Sequence, residues 1–206
     1  MQDSKLDRLV RLISAWPGLM ARVDRPLIED SLVLLDHLAG VHSLVDVGSG
    51  AGLPGIPIKI ALPGLYVTLV EADQDKAAFL VHACAVLHLE RIEVVARRAE
   101  EAGHDPRLRE AFDVAVARAL APLPVLAELC LPFVRVGGRL LAQKTEAEDT
   151  APAARAIQLL GGELSRVLPA PSASRSAGTI VVIDKARATP ARYPRRPGIP
   201  ARRPLS

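Results

Sequence analysis

The chain has 206 residues, half of them apolar and only 3% aromatic, with a formal net charge of +3. That length fills one well-buried domain with small additions and excludes two full ones. The charged, amphipathic start MQDSKLDRLVRL and the lack of any apolar stretch long enough to span a membrane argue against a leader or a membrane protein. The expectation is a cytoplasmic protein.

Leu6, Leu9, Val10, Leu12 and Ile13 recur at helical spacing and predict a helix from Lys5 to about Ala15, ended by Trp16-Pro17-Gly18. Leu27, Ile28, Leu32, Leu34, Leu35 and Leu38 predict a second, from about Pro26 to Ala39. Alternation then begins. Strands are expected at Leu44–Val47, Tyr66–Val70, Ile92–Ala96, Phe112–Ala117 and Arg139–Gln143. Helices are expected at Pro54–Ala61, Gln74–Leu87, Pro122–Val134 and Glu146–Leu160. Two last strands, Glu163–Leu168 and Thr179–Ile183, have only the loop-like PAPSASRSAG between them and should pair antiparallel.

Alternating strands and helices demand a parallel sheet with right-handed crossovers. The expected fold is therefore α/β and Rossmann-like: a mostly parallel seven-stranded sheet with a C-terminal antiparallel hairpin, the variation found in class I methyltransferases. Residues 1–40 read as a helical cap, 41–185 as the catalytic domain and 186–206 as a basic Pro/Arg-rich tail. From Lys185 to Ser206 there are seven Lys or Arg and no Asp or Glu. Such a tail either tracks an anionic partner or packs along the domain with its charges in water.

The stretch from Ser43 to Asp73 carries the cofactor signal. Its turn reads Gly48-Ser-Gly50-Ala-Gly52-Leu53. A dinucleotide fingerprint wants glycine where Leu53 stands, so that a helix start can approach a pyrophosphate. The observed form suits a cofactor without phosphate, S-adenosylmethionine. Gly48 and Gly50 would let the backbone approach it. Asp46, just before the turn, can accept from loop amides or, through water, from an ammonium group. Glu71 closes the second strand, where a carboxylate can accept both ribose hydroxyls; the plainer role is a strand-end cap. Arg98-Ala99-Glu100 follows the third strand. It either meets the adenine edge through Ala99 and Glu100 or starts a surface helix.

Arg118 ends the fourth strand, beside the place where a transferable methyl would point. It can grip phosphate, guanine O6 or the cofactor carboxylate, or it can sit in a structural ion pair. Lys144, at the end of the fifth strand, can hold phosphate or stay solvated. No Asp/Asn-Pro-Pro-aromatic loop and no suitably placed cysteine is present. A ring nitrogen with a free lone pair, such as guanine N7, needs neither; alignment alone can supply much of the rate. Arg192, Arg195, Arg196, Arg202 and Arg203, with Tyr193, can track a nucleic-acid backbone and stack a base. Cys84 and Cys130 read as buried thiols, and the five histidines show no ligand spacing, so no metal is expected.

DVGSGAGLPGIPIKIALP, VEADQDKAAFL, RRAEE, FDVAVARALAPL and YPRRPGIPARRPL together resemble the RsmG family, also called glucose-inhibited division protein B. The likeness runs from about Asp30 onward. It implies transfer of a methyl group from S-adenosylmethionine to N7 of a guanosine in the decoding region of 16S rRNA, with rRNA or the small ribosomal subunit as partner and the protein acting as a monomer. It also implies cofactor contacts at Gly48, Leu53, Glu71, Ala72, Asp73, Ala99, Glu100 and Arg118, and a role for Lys144. The chain departs from the family pattern at Pro26-Leu27, where Arg-His is usual, after Trp16, where Asn-Leu-Thr is absent, and at Thr145, where glycine is usual. Because these departures touch the cap and the substrate edge, a cofactor-retaining, non-catalytic RNA-binding or assembly factor stands as the alternative.

Overall fold

The computed structural model describes residues 2–118 and 120–205. Seven strands form one sheet: β1 (Ser43–Val47), β2 (Tyr66–Val70), β3 (Ile92–Val95), β4 (Phe112–Arg118), β5 (Val134–Lys144), β6 (Gly162–Pro169) and β7 (Thr179–Lys185). Their spatial order is β3-β2-β1-β4-β5-β7-β6. β1 to β5 run parallel, while β7 is antiparallel to both β5 and β6. Chain order reverses between β1 and β4, so the carboxyl ends of those two strands open a crevice at the switch point.

Strand alternation sends side chains to two buried layers. Leu44, Val114, Leu141 and Val182 face one, with Ile56 and Ile58 of α3 (Gly55–Ala61) and Phe79 and Leu80 of α4 (Gln74–Val86). Val45, Ala115, Leu140 and Val181 face the other, with Leu126 and Cys130 of α6 (Leu123–Cys130) and Ile157 of α7 (Ala154–Leu159). Two small helices complete the set, α5 (Ala99–Ala102) and α8 (Ile199–Arg202).

The N-terminal helix α1 (Gln2–Ala15) joins the first layer through Leu6, Leu9 and Ile13. Each such buried side chain stabilises by about 1.5–3 kcal/mol. Trp16 then meets Phe79 edge-on, ring centroids 5.4 Å apart.

Three expected helices differ in extent. The segment expected as one helix from 26 to 39 divides into α2 (Arg25–Glu29), capped by the Asp24 carboxylate on the Leu27 amide, and a 3-10 helix, Asp30–His37. There the Asp30 carboxylate, the Ser31 hydroxyl and the Leu27 carbonyl turn to partners outside the helix. Tertiary partners thus override the leucine period. The helix expected to reach Val134 stops at Cys130, and a 3-10 turn, Leu131–Phe133, follows. Pro132 has no amide to continue it. The helix expected from Glu146 is absent until the 3-10 turn Ala151–Ala153, because Pro152 is tolerated only in a first turn. In contrast β5 is longer than expected, since Val134 already pairs with Phe112 and the register shifts before Arg139.

Candidate cofactor site

The loop after β1 is pinned from below and beside. The amides of Gly48 and Ser49 donate to the Val70 carbonyl at 2.8 and 3.1 Å, holding the loop against the end of β2. Gly48 has φ +73°, and a Cβ there would lie 2.4 Å from Leu120 Cδ1. A side chain would therefore meet both backbone strain and a clash.

Asp46 lies beneath this loop, fully buried. One oxygen, Oδ2, accepts the Gly55 amide at 2.9 Å, and the other, Oδ1, has no partner among the described residues. Burial pushes its pKa from 3.8 up to about 7; the bond from Gly55 opposes the rise, while the nearby Glu71 charge adds to it.

Glu71, at the end of β2, is buried and clamps the loop. Its Oε2 accepts the Gly50 amide at 2.8 Å and its Oε1 the Asp73 amide at 2.9 Å. Each carboxylate oxygen retains a second acceptor site. Asp73 is committed elsewhere: its side chain caps α4 by accepting the amides of Asp75 and Lys76.

A cavity of about 410 Å³ opens above these groups, lined by Gly48, Gly50, Glu71, Ala72, Ala99, Glu100 and Arg118. Seven of the expected cofactor residues thus converge on one space. Leu53 faces a separate cavity of about 270 Å³ across the same loop, which also touches Gly48, Gly50 and Arg118. Asp46 and Asp73 support the loop and the helix start without lining the larger cavity.

The remaining walls had no local signal in the sequence. Val125 and Leu129 of α6 form one, and Gly198, Pro200 and Ala201 of the tail form another. Glu100 explains the second: its Oε1 accepts the Gly198 amide at 2.8 Å, so one of its oxygens holds the tail against the cavity. Only the alternative that the Pro/Arg-rich tail packs along the domain anticipated this wall.

Arg118 reaches away from the loop toward the cap. Its Nη1 donates to the Leu27 carbonyl at 3.1 Å and to Ser31 Oγ at 3.4 Å, and it lies 3.7 Å from Asp30 Oδ2. Burial lowers its pKa, with the Asp30 charge opposing. The ion-pair role and the cavity-lining role therefore coexist. Lys144 is paired with Glu148 at 2.5 Å and donates to the Ala121 carbonyl at 3.0 Å, so it is not a solvated lysine. Glu148 also accepts the Leu123 amide at the start of α6.

In the tail, Arg192 and Arg196 are exposed, as an RNA-facing role needs. Arg195 and Tyr193 stand differently from that expectation. Tyr193 is 7% exposed and packs into the second core layer, while Arg195 binds the fully buried Glu128. Tyr193 is thus committed to the core, and the Arg195 side chain, 26% exposed, to an ion pair. Both cysteines are buried, and burial raises the thiol pKa of each, Cys84 to about 11. Neither lines the cavity of about 410 Å³. Among the described residues no group of three or more His, Cys, Asp or Glu side chains could hold a metal, and no helix is long and apolar enough to cross a membrane.

The strand order, the reversed β7 and a glycine turn facing an acid at the end of β2 define a Rossmann-like methyltransferase of the class I type. Comparison with known proteins agrees. The family model described as GidB, rRNA small subunit methyltransferase G, matches residues 20–176, and the chain belongs to this family. A ribosomal RNA small subunit methyltransferase G of Roseiflexus castenholzii is 52% identical over 164 residues, 79% of this chain and 70% of the relative. The one of Chloroflexus aggregans is 44% identical over 187 residues, 90% and 79% of the two chains. Among solved structures, an O-methyltransferase from Bacillus cereus in complex with SAH superposes with TM-score 0.63 at 19% identity, covering 89% of this chain and 91% of that one. TrmN from Thermus thermophilus gives TM-score 0.58 at 19% identity, over 86% and 52%. These two show a shared fold.

Proposed function

We propose that this enzyme, an rRNA small-subunit methyltransferase by family, uses S-adenosylmethionine to methylate N7 of a guanosine in the decoding region of 16S rRNA, acting as a monomer in the cytoplasm. The observation that carries the cofactor half of this reading is the Glu71 carboxylate set opposite the Gly48–Gly50 backbone across a cavity of about 410 Å³. That volume falls within the roughly 300–1,000 Å³ of small-molecule sites. The residues fit a nucleoside with a charged amino-acid arm. Glu71 keeps acceptor capacity for a ribose diol, Ala99 and Glu100 flank the adenine side, and Gly48 offers close approach. When bound, S-adenosylmethionine supplies a methyl group activated on sulfonium.

The protein's own part is positioning. Guanine N7 carries a lone pair, so no side chain has to take a proton from it, and neither buried cysteine lines the cofactor cavity. Arg118, on the wall between the cofactor cavity and the β5 edge, holds the geometry where nucleophile and methyl meet. The Lys144–Glu148 pair fixes the loop after β5. Arg192 and Arg196 supply positive charge for the RNA backbone. Residues 1–40 act as a cap that orients Arg118, and the segment from 186 onward contributes both a cavity wall and an RNA-facing edge.

The test is transfer from labelled S-adenosylmethionine to under-methylated small-subunit rRNA, with the product nucleoside identified by mass spectrometry. N7-methylguanosine at a single decoding-region position is expected. Methylation at another atom overturns the N7 assignment. RNA binding without transfer favours an assembly factor.

A further inference from the structure

Beyond Arg118, on the β5 side, lies a third cavity of about 250 Å³, lined by Leu27, Asp30, Arg118, Gln143, Lys144 and Arg175. Arg118 is the wall it shares with the cofactor cavity. Arg118 and Gln143 pair in register at the carboxyl ends of β4 and β5.

Gln143 is out of character for its place. Leu140, Leu141 and Ala142 before it are fully buried, as a central strand covered on both faces requires, and Gln143 itself is 1% exposed. Its Nε2 donates to the Asp30 carbonyl at 2.8 Å and to Asp30 Oδ2 at 3.0 Å. Two oxygen acceptors fix the amide orientation, because the flipped form would set carbonyl against carbonyl and carboxylate. Asp30 is held in turn by Ser172 Oγ at 2.5 Å and by Arg175 Nε at 3.0 Å. The Gln143 side-chain carbonyl, Oε1, is thereby aimed away from Asp30 and has no partner among the described residues. A buried, unpaired acceptor is destabilising unless a ligand or water donates to it.

We propose that Gln143 is the specificity residue for the target base, its Oε1 accepting from the N1–H or the exocyclic amine of guanine. This rests on the guanine-N7 reading above. N7 lies on one edge of the purine and the two N–H donors on the opposite edge. A base with N7 toward Arg118 and the cofactor cavity turns its donor edge into the third cavity. Adenine presents an acceptor at N1, which would face the Gln143 carbonyl and be rejected. The interaction also strengthens along the reaction. A methyl group on N7 leaves the ring cationic and its N1–H more acidic, so an acceptor on that edge binds the product-like state better than the ground state. Asp30, between Arg175 and Arg118, offsets the positive charge that would otherwise oppose the cationic ring.

The test pairs a protein change with a base change. Small-subunit rRNA carrying guanosine, inosine (no amine) or 2-aminopurine (no N1–H) at the target position is methylated by wild type and by Gln143→Leu. The expected result is a tenfold or greater fall in kcat/KM for Gln143→Leu on guanosine, with calorimetric cofactor affinity within twofold of wild type. At least one analogue should penalise wild type tenfold and Gln143→Leu less than threefold. If Gln143→Leu fails to fold, Gln143→Met, of nearly equal length, replaces it. Full activity in the variant, or analogue penalties equal in both proteins, overturns the role of Gln143 alone. A wild-type protein that leaves guanine N7 unmethylated overturns the function proposed above and the Gln143 role with it.

Discussion

Arg195 and Glu128, 67 residues apart, form a two-pronged ion pair, Nε to Oε1 at 2.8 Å and Nη2 to Oε2 at 2.6 Å. The Arg195 amide adds a third bond to Oε1 at 2.9 Å. Glu128 has no exposure at all, and Arg195 is the cation that pairs with it. The same helix, α6, lines the cofactor cavity through Val125 and Leu129, and the tail lines it through Gly198 and Pro200. One carboxylate therefore fastens two walls together.

Arg195→Ala should lower unfolding free energy by about 3–5 kcal/mol in urea titrations, since it leaves Glu128 buried and unpaired. The double change with Glu128→Leu should recover most of that loss, and cofactor affinity should fall in the single variant. If the single variant unfolds like wild type, the pair is not the clamp described.

Arg192 and Arg196 are predicted to act on RNA and not on stability. Replacing both by alanine should reduce the salt dependence of RNA binding by about one unit of log–log slope per arginine, with the urea midpoint unchanged. An unaltered slope from filter binding across a salt series would remove them from the interface.

Gly48→Val should abolish calorimetric binding of S-adenosylmethionine. The added Cβ meets Leu120 at 2.4 Å, and valine at φ +73° carries backbone strain of about 1–2 kcal/mol. Retained affinity would show that this turn does not hold the cofactor.

Asp46 sets a pH dependence. Its folded pKa of about 7 lies above the unfolded 3.8, so the folded state holds the proton more tightly. The stability it contributes is fully present below about pH 4 and is lost as pH rises through 7, by at most about 1.4 kcal/mol per unit. Asp46→Asn removes this slope. Its stability relative to wild type, from denaturation at pH 5 and pH 8, should be higher at pH 8; an equal difference at both would contradict the buried, protonatable carboxyl.

The sheet was readable because each parallel strand is a short apolar run followed by a helix or a glycine turn, as at Leu44–Val47 and Leu140–Ala142. Glu71 and Gly50 were readable as spacing, since the strand length between them fixes their meeting. The segment 30–37 was not, because Asp30 answers to Ser172, Arg175 and Gln143, more than a hundred residues away. The tail misled for a related reason. Its arginines look alike in sequence, yet Arg195 finds Glu128 while Arg192 and Arg196 stay in solvent. Pairing across such distances leaves no periodic trace.

The bond from the Gly198 amide to Glu100 carries a consequence for biosynthesis. Synthesis runs from the amino end, so every strand exists before residue 198 does. The cavity therefore lacks one side until residues made after every strand have docked.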